Sequence, residues 1–569
     1  MTVVGIDFGT TNSVVAVHNG SRVEVLDIDQ PPPVWEPYGF SRVLPSVMAR
    51  DENQRICFGW EAKQRVTGRF DAVKRMFATQ LDVATDDQGN SLVVEEVATM
   101  LFAEIRQRTL TKGIHADQAV VTVPANSKGR ARHRTKLAAG MAGLEVLALI
   151  NEPTAAAMAY AQRHPEARQL LVFDWGGGTL DVTLLQSIDG VFIEQSSSGL
   201  PRSGGLDFDN KIMELIREFY PDLSNISPEA RQKLRLEVEL AKVKLSTTEE
   251  TVIQLPNGQP FALTRSRFEK AIEGLIRESL LPLDHVLGDI KIGPGAIDAL
   301  VLVGGTCRIP AIRRAVQEHL KMDADPNIDP MTAVGEGAAV AGAIMAGKLT
   351  NSDFFVCLEH ALGTWIVDPI SNGRNFSTLI PRGHKLPAKK SEPFHPIDPE
   401  YGSVLIEVVE GDPDAHSPDY TTLKPWDVKL HEPYKLGSAR DFTLEYAYDV
   451  DGILQVHAVD SESGVTILRD DVSYGVARDK KELKTMSDRA KAAVETGVLA
   501  DKARVEVKDP EASKLIEQAR VKVIPFLDAS EVGPIDAAVS KIEGATSEGE
   551  RSSAKTELKR LLSPYSYLI

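Results

Sequence analysis

Through the first 350 residues, short apolar runs alternate with longer stretches of mixed polarity. VVGIDF, AVVTV, QLLVFDW and DALVLVGG are compact apolar runs, which predict buried strands. VATMLFAEIRQRTL, MAGLEVLALI and IRRAVQEHL are longer and are read as helices. This alternation predicts α/β layers, with helices covering the sheets. Near position 350 the pattern breaks: KLTNSDFFVCLEH sets polar residues around the apolar run Phe354-Phe355-Val356-Cys357-Leu358. Residues 361–475 carry short alternating segments such as SVLIEVVEG, FTLEYAYDV and ILQVHAVDS, split by proline- and glycine-rich connections. They predict an all-β module. From about 476 the chain is rich in Ala, Lys and Glu, which predicts a polar helical tail.

Two segments share one plan. VVGIDFGTTNSVVAV at the N-terminus and LLVFDWGGGTLDVTLL at 170–185 each run from an apolar stretch through an aspartate, an aromatic and glycine into a second alternating stretch. Each predicts a strand–turn–strand hairpin with its aspartate at the end of the first strand. The pair suggests a duplicated fold facing across a cleft. Turns of Gly, Thr and Ser aim successive backbone N–H groups into one concavity, which binds anions. Thr10, Thr11, Ser13 and Thr179 add hydroxyls, so a polyphosphate is the natural occupant. Asp7, Asp174 and Asp181 then sit beside negative charge, which makes sense with a hard cation such as Mg²⁺, or water, between them. Either turn alone reads equally well as an ordinary hairpin stabilised by its aspartate. The matched pair does not. No GxxxxGK[ST] occurs, so this is not a P-loop site. A third stretch, LVLVGGTCRIPAI at 300–312, places Gly304 and Gly305 at a strand end and Arg308 where it can stack on a base or meet phosphate.

Composition narrows the classes. A chain of 569 residues exceeds a single core. A net charge of −17 argues against a general nucleic-acid or membrane-surface binder. The three cysteines, Cys57, Cys307 and Cys357, lie far apart without a CxxC pair, against a disulfide framework or zinc site. MTVVGIDFGTTNSVV has no basic n-region, and AVGEGAAVAGAIMAG at 333–347 carries Glu336 and several glycines, so neither reads as a secretory signal or a membrane span. A cytoplasmic monomer is expected, with no nucleic acid and no membrane partner.

VGIDFGTTNS at 4–13, VTVPA at 121–125, INEPTAAAMAYA at 150–161, FDWGGGTLDV at 173–182 and LVLVGGTCRIPAI at 300–312 occur in an order that resembles the actin-like ATPase superfamily. More specifically, the chain resembles the 70-kDa heat-shock chaperones (DnaK-like), over nearly all of residues 1–475. The resemblance implies an α/β fold: a duplicated actin-like ATPase domain over 1–350, then an interdomain linker over 351–360. A β-sandwich substrate-binding domain over 361–475 and a short helical lid-like tail over 476–569 follow. It implies an ATPase that couples ATP hydrolysis to gripping and releasing extended apolar segments of unfolded proteins.

Carried over residue by residue, ATP or ADP phosphates contact Gly9, Thr10, Thr11, Asn12, Gly176, Gly177, Gly178 and Thr179. Asp7, Asp174 and Asp181 hold Mg²⁺, or K⁺, through waters. Lys74 and Glu152 match the lysine and carboxylate that orient the attacking water; read alone, they are a solvated lysine and a helix cap. Glu239, Lys242 and Ser246, with Gly304, Gly305 and Arg308, take adenosine, although LEVELAKVKLS by itself is simply an amphipathic helix. Pro124 and Arg132 match relay positions, and Asp353, Phe354, Phe355 and Val356 the docking linker. Phe394, Val404 and Ile406 either line the peptide channel or belong to ordinary sandwich core.

Three departures stand against standard pairing with a J-domain co-chaperone and a nucleotide-exchange factor. The segment from Lys74 to Val120 is short, PNGQP replaces a longer hairpin, and Leu147-Ala148 precedes INEPTAAA where an arginine is usual. Met331 stands where relatives usually carry aspartate. Two other functions fit the same ATPase fold, a small-metabolite kinase and a filament-type scaffold. A kinase would need a second α/β lobe where 361–475 reads as strands.

Overall fold

The computed structural model describes residues 2–568, apart from 80–81, 87–88, 126, 201–202, 351–352, 355–357, 359, 369–372, 383, 386, 398–401, 412, 414–419, 431–439, 450–453, 473–479, 500–508, 525–526, 528 and 546. Its first half is built twice. The strands Thr2–Phe8 and Asn12–His18 form the first hairpin, and Gln169–Trp175 and Leu180–Ile188 the second. Each hairpin lies in its own sheet of five or six strands. In both sheets the first hairpin strand has a parallel neighbour on its other side, Ala116–Val123 in one and Ala299–Val303 in the other. The duplicated plan is therefore present in the topology, as well as in the turn sequences.

Two helices of small residues fill the space between the sheets. Glu152–Ala161 and Ala333–Met345 pack on each other; the latter lies against the first hairpin. Glycine allows that closeness. A Cβ on Gly337 would fall 1.6 Å from the Ala155 carbonyl oxygen, and one on Gly5 would fall 2.1 Å from the Ala339 nitrogen. The alanine- and glycine-rich 333–347 run is thus a packed helix, as expected.

One expectation fails. MAGLEVLALI does not form a helix: Met141 ends the helix Gly129–Met141, Gly143 takes a left-handed φ of +89°, and Glu145–Asn151 is a strand parallel to Ala116–Val123. Its apolar run is too short for period alone to separate a buried strand from a helix. The glycine turn decides.

Among the described residues, eight strands between 361 and 472 form two four-stranded sheets whose inner faces share one core. In Phe442–Tyr448 every second residue, Phe442, Leu444, Tyr446 and Tyr448, points into the shared core, the period a half-buried strand requires. This sandwich touches the first half directly. Glu410 accepts the Gly129 backbone N–H at 3.2 Å, Lys128 Nζ donates to Thr421 Oγ1 at 2.9 Å, and Arg382 bonds the Ser197 carbonyl. Asp353–Phe354 adds a short parallel strand to the edge of the second sheet, beside Val191 and Phe192.

The C-terminal helices lie against the outer parts of both halves. Lys480–Thr496 packs on Val94–Thr111, where Arg489 grips buried Glu96 with bonds of 2.5 and 2.6 Å. Further on, Glu517 accepts the Thr85 N–H at 3.0 Å in the first half. Its neighbours Leu515, Ala519 and Val523 are buried in the core that holds Leu223 and Leu234 of the second half. Ile516 packs against both cores. Among the described residues, no helix is long and apolar enough to cross a membrane.

Candidate active site

The two glycine turns face each other across a cavity of about 610 Å³. A Cβ on Gly177 would lie 2.6 Å from the Thr11 side chain, and one on Gly178 would lie 2.7 Å from Thr10 Oγ1. Only glycine permits that approach. Gly9, Thr10, Thr11, Asn12, Gly176, Gly177, Gly178 and Thr179 all line this cavity, as do Asp7, Lys74, Glu152 and Asp174. Asp181, fully buried, is the cross-strand partner of Asp174.

Each strand ends where its carboxylate enters the cavity. Asp7 accepts a hydrogen bond from Thr122 Oγ1 at 3.0 Å, so the neighbouring parallel strand fixes its rotamer. Lys74 sits on the short helix Val73–Phe77, entered through Ala72 in the left-handed conformation (φ +52°). Glu152 opens the helix Glu152–Ala161. Lys74 Nζ and Glu152 Oε1 are 2.5 Å apart and both residues are buried.

The carboxylates crowd one another. Burial and the Glu152 charge push Asp7 up to about 7, against the pull of Lys74 and of the Thr122 hydrogen bond. Burial, then Glu152, Asp181 and Asp7, raise Asp174 well above the ordinary carboxylate range. Such a cluster stores electrostatic work that an added cation would relieve. The donor chemistry fits a hard, oxygen-seeking ion. Among the described residues no three side chains converge closely enough to ligate a metal directly.

The other cavity end is built by the helix Pro228–Lys244 and the 304–308 turn. Lys242 Nζ reaches Asp209 at 2.8 Å and the Gly205 carbonyl at 2.8 Å. Burial raises Glu239, but Lys63, 2.6 Å away, and Lys242 more than offset it, so its pKa is lowered overall. Gly304 has φ +82°, and a Cβ there would strike the Trp175 carbonyl at 2.2 Å. Ser246, Gly305 and Arg308 also line this end.

Sequence reading missed the residues that brace the second turn. The helix Gly205–Phe219 starts directly above it: Gly205 and Leu206 donate their N–H groups to the carbonyls of Gly176 and Gly177 at 3.0 and 3.1 Å. Arg75 crosses from the first half to the Gly178 carbonyl at 3.0 Å and to Asp207 at 3.3 Å. Asp207 in turn accepts the Gly204 N–H at 2.6 Å. The adjacency of Arg75 to Lys74 was the one available clue.

The remaining residues are dispersed. Pro124 lines the cavity, and Arg132 donates to Asn151, the residue before Glu152, at 2.8 Å. Phe354 is buried at the sheet edge, and Asp353 is exposed; Phe355 and Val356 lie outside the described residues. Ile406 is buried in the sandwich core, Phe394 stacks on Phe442 with ring centroids 6.0 Å apart, and Val404 is half-buried.

Twin hairpins of one topology, glycine turns opposed across a carboxylate-lined cleft and a lysine–glutamate pair at its base define an actin-like ATPase. Residues 3–82 and 72–566 match the family described as Hsp70 protein. The chain is 32% identical over 489 residues to the chaperone protein DnaK of Mycoplasmopsis agalactiae, covering 81% of this chain and 77% of that one. It is 33% identical over 507 residues to the heat shock 70 kDa protein of Emericella nidulans, covering 81% and 76%. The chain belongs to the Hsp70 family of ATP-hydrolysing chaperones, which bind ATP or ADP with a divalent metal and act on unfolded polypeptides.

Proposed function

We propose that ATP binds with its phosphates between the 9–12 and 176–179 turns, and that Lys74 and Glu152 orient the water that attacks the γ-phosphorus. The Lys74–Glu152 pair, 2.5 Å apart beside the two turns, carries this reading. Phosphoryl transfer needs positioning and charge stabilisation rather than a covalent nucleophile. Lys74 supplies a cation toward the γ-phosphoryl oxygens, and Glu152 keeps that cation in place. Asp7, Asp174 and Asp181 hold hydrated Mg²⁺, with K⁺ as a further occupant; the ion, when bound, neutralises charge on the phosphates. Glu239, Lys242, Ser246, Gly304, Gly305 and Arg308 hold the adenosine.

The work is divided among an ATPase domain over 1–350, a linker over 351–360, a sandwich over 361–475 that grips extended apolar peptide, and the tail. Phe394 and Val404, only half-buried, are the better candidates for peptide contact; buried Ile406 supports the strand beneath. A chain of contacts favours coupling: Glu410 in the sandwich meets Gly129, and Arg132 on the same helix meets Asn151 beside Glu152. Pro124, Asp353, Phe354, Phe355 and Val356 belong to that relay. We further propose a cytoplasmic monomer whose pairing with J-domain and exchange partners departs from the usual pattern.

The test is turnover by the full-length protein with and without an unfolded apolar peptide. Peptide should raise ATPase turnover, and ATP should weaken peptide binding. If neither responds to the other, the coupling is wrong.

A further inference from the structure

At one end of the cleft, a segment outside the family motifs latches onto Arg308. Residues 36–42 make two short 3-10 turns, Glu36–Tyr38 and Phe40–Arg42, joined by Gly39 in the left-handed conformation (φ +77°). Pro37, Tyr38, Gly39 and Phe40 line the nucleotide cavity. A Cβ at Gly39 would come within 3.2 Å of both terminal nitrogens of Arg308, so glycine here lets the guanidinium lie against the backbone.

The segment is tied across the cleft. Arg308, from the second half, donates through Nη1 to the Tyr38 carbonyl at 2.5 Å and through Nη2 to Asp329 Oδ1 at 2.7 Å. Arg42, from the first half, donates to Asp329 Oδ2 at 3.2 Å. Asp329 therefore joins the two arginines, and a planar guanidinium held by two acceptors has its orientation fixed. Beneath lies an aromatic triangle of Trp35, Phe40 and Trp60, with ring centroids 5.2 to 5.8 Å apart. Met331 packs against that cluster, its N–H bonded to Asp329 at 3.1 Å and its sulfur 2.9 Å from where a Cβ on Gly305 would be. An aspartate at 331 would bring a charge against this apolar surface. That accounts for methionine at this position.

We infer that residues 36–42 are a base clamp: they close over the nucleobase of the bound nucleoside triphosphate by latching onto Arg308 and Asp329, with Met331 as the apolar support. This rests on the nucleotide reading of the cleft given above. Asp329 and Arg42 are positioning residues, acting through Arg308 and the Tyr38 carbonyl. The clamp grips the base alone, because the phosphates lie against the opposite turns.

Two ligands separate the clamp from general closure of the cleft: ATP, and ribose 5-triphosphate, which keeps sugar and phosphates and lacks the base. Binding of both is measured on the full-length wild type, Arg42→Ala and Met331→Ala. The Arg42 side chain is about half exposed and outside the apolar cores, so its removal spares them. Each variant should bind ATP about five- to tenfold more weakly and ribose 5-triphosphate within twofold of wild type. Unchanged ATP affinity, or equal loss for both ligands, overturns the clamp. Failure of the wild type to bind ATP would instead overturn the nucleotide reading.

Discussion

Lys74 Nζ stands 2.5 Å from Glu152 Oε1, joining a five-residue helix in the first half to the start of the helix between the sheets. Removing one member of a buried pair leaves its partner's charge uncompensated. Asp7 and Asp174 already feel Glu152 and lean on the lysine. Lys74→Ala should therefore lower single-turnover hydrolysis by about 10²–10³-fold, as expected for a lost charge-stabilising donor, while nucleotide still binds. Wild-type turnover in that variant would remove Lys74 from the chemistry.

Gly337 tests the packing that holds the two sheets at their spacing. Its Cβ would meet the Ala155 carbonyl at 1.6 Å, a backbone atom that has no rotamer to yield. Gly337→Ala should cost about 2–3 kcal/mol of unfolding free energy through overpacking, read from denaturant midpoints. A neutral result would mean that the two helices can part without loss.

Docking of the sandwich should depend on pH through Glu410. Burial pushes this carboxyl from 4.5 up to about 7, although Lys128, the Gly129 N–H and Arg132 pull it down. A carboxyl whose pKa is higher when docked favours docking fully below its ordinary value and loses that contribution as pH rises through about 7. Interdomain energy transfer should thus fall as pH rises from about 4.5 to about 7, and Glu410→Gln should flatten the profile. An unaltered profile in the variant would assign the titration elsewhere.

Phe354 tests the linker. It is buried where Asp353–Phe354 pairs with the sheet edge at Val191 and Phe192. Phe354→Asp should release this strand and reduce peptide stimulation of turnover severalfold, with the largest change in the stimulated rate. Equal stimulation in variant and wild type would separate the edge strand from coupling.

The second half, like the first, announced itself in sequence because a strand ending in aspartate, then glycine and a small-residue turn, is a local pattern. Lys74 and Glu152 were recognised only through their neighbours in the family motif, since a lysine in a short helix has no signature of its own. Arg75 and Asp207 were not foreseen: they meet across 132 residues, and nothing local marks either one. The same holds for Arg42 and Asp329, 287 residues apart. The strand 145–151 was read as helix because its few apolar residues satisfy both periods. The Gly143 turn and the pairing with Ala116–Val123 settle it as strand.

The tail offers a last test. Ile516 touches the cores of both halves, and Glu517 bonds Thr85 from the same turn. Ile516→Asp should loosen that bridge and speed ADP dissociation by roughly fivefold or more, the lower range of coupling between linked sites. An unchanged release rate would make the contact ornamental.

Because those C-terminal helices lie against the outer parts of both halves, prising the halves apart at that contact means peeling them away as well. Whatever occupies the crevice and whatever holds the helices down must then reinforce each other to the same extent. Affinity for any ligand that draws the halves together is then set in part by those helices.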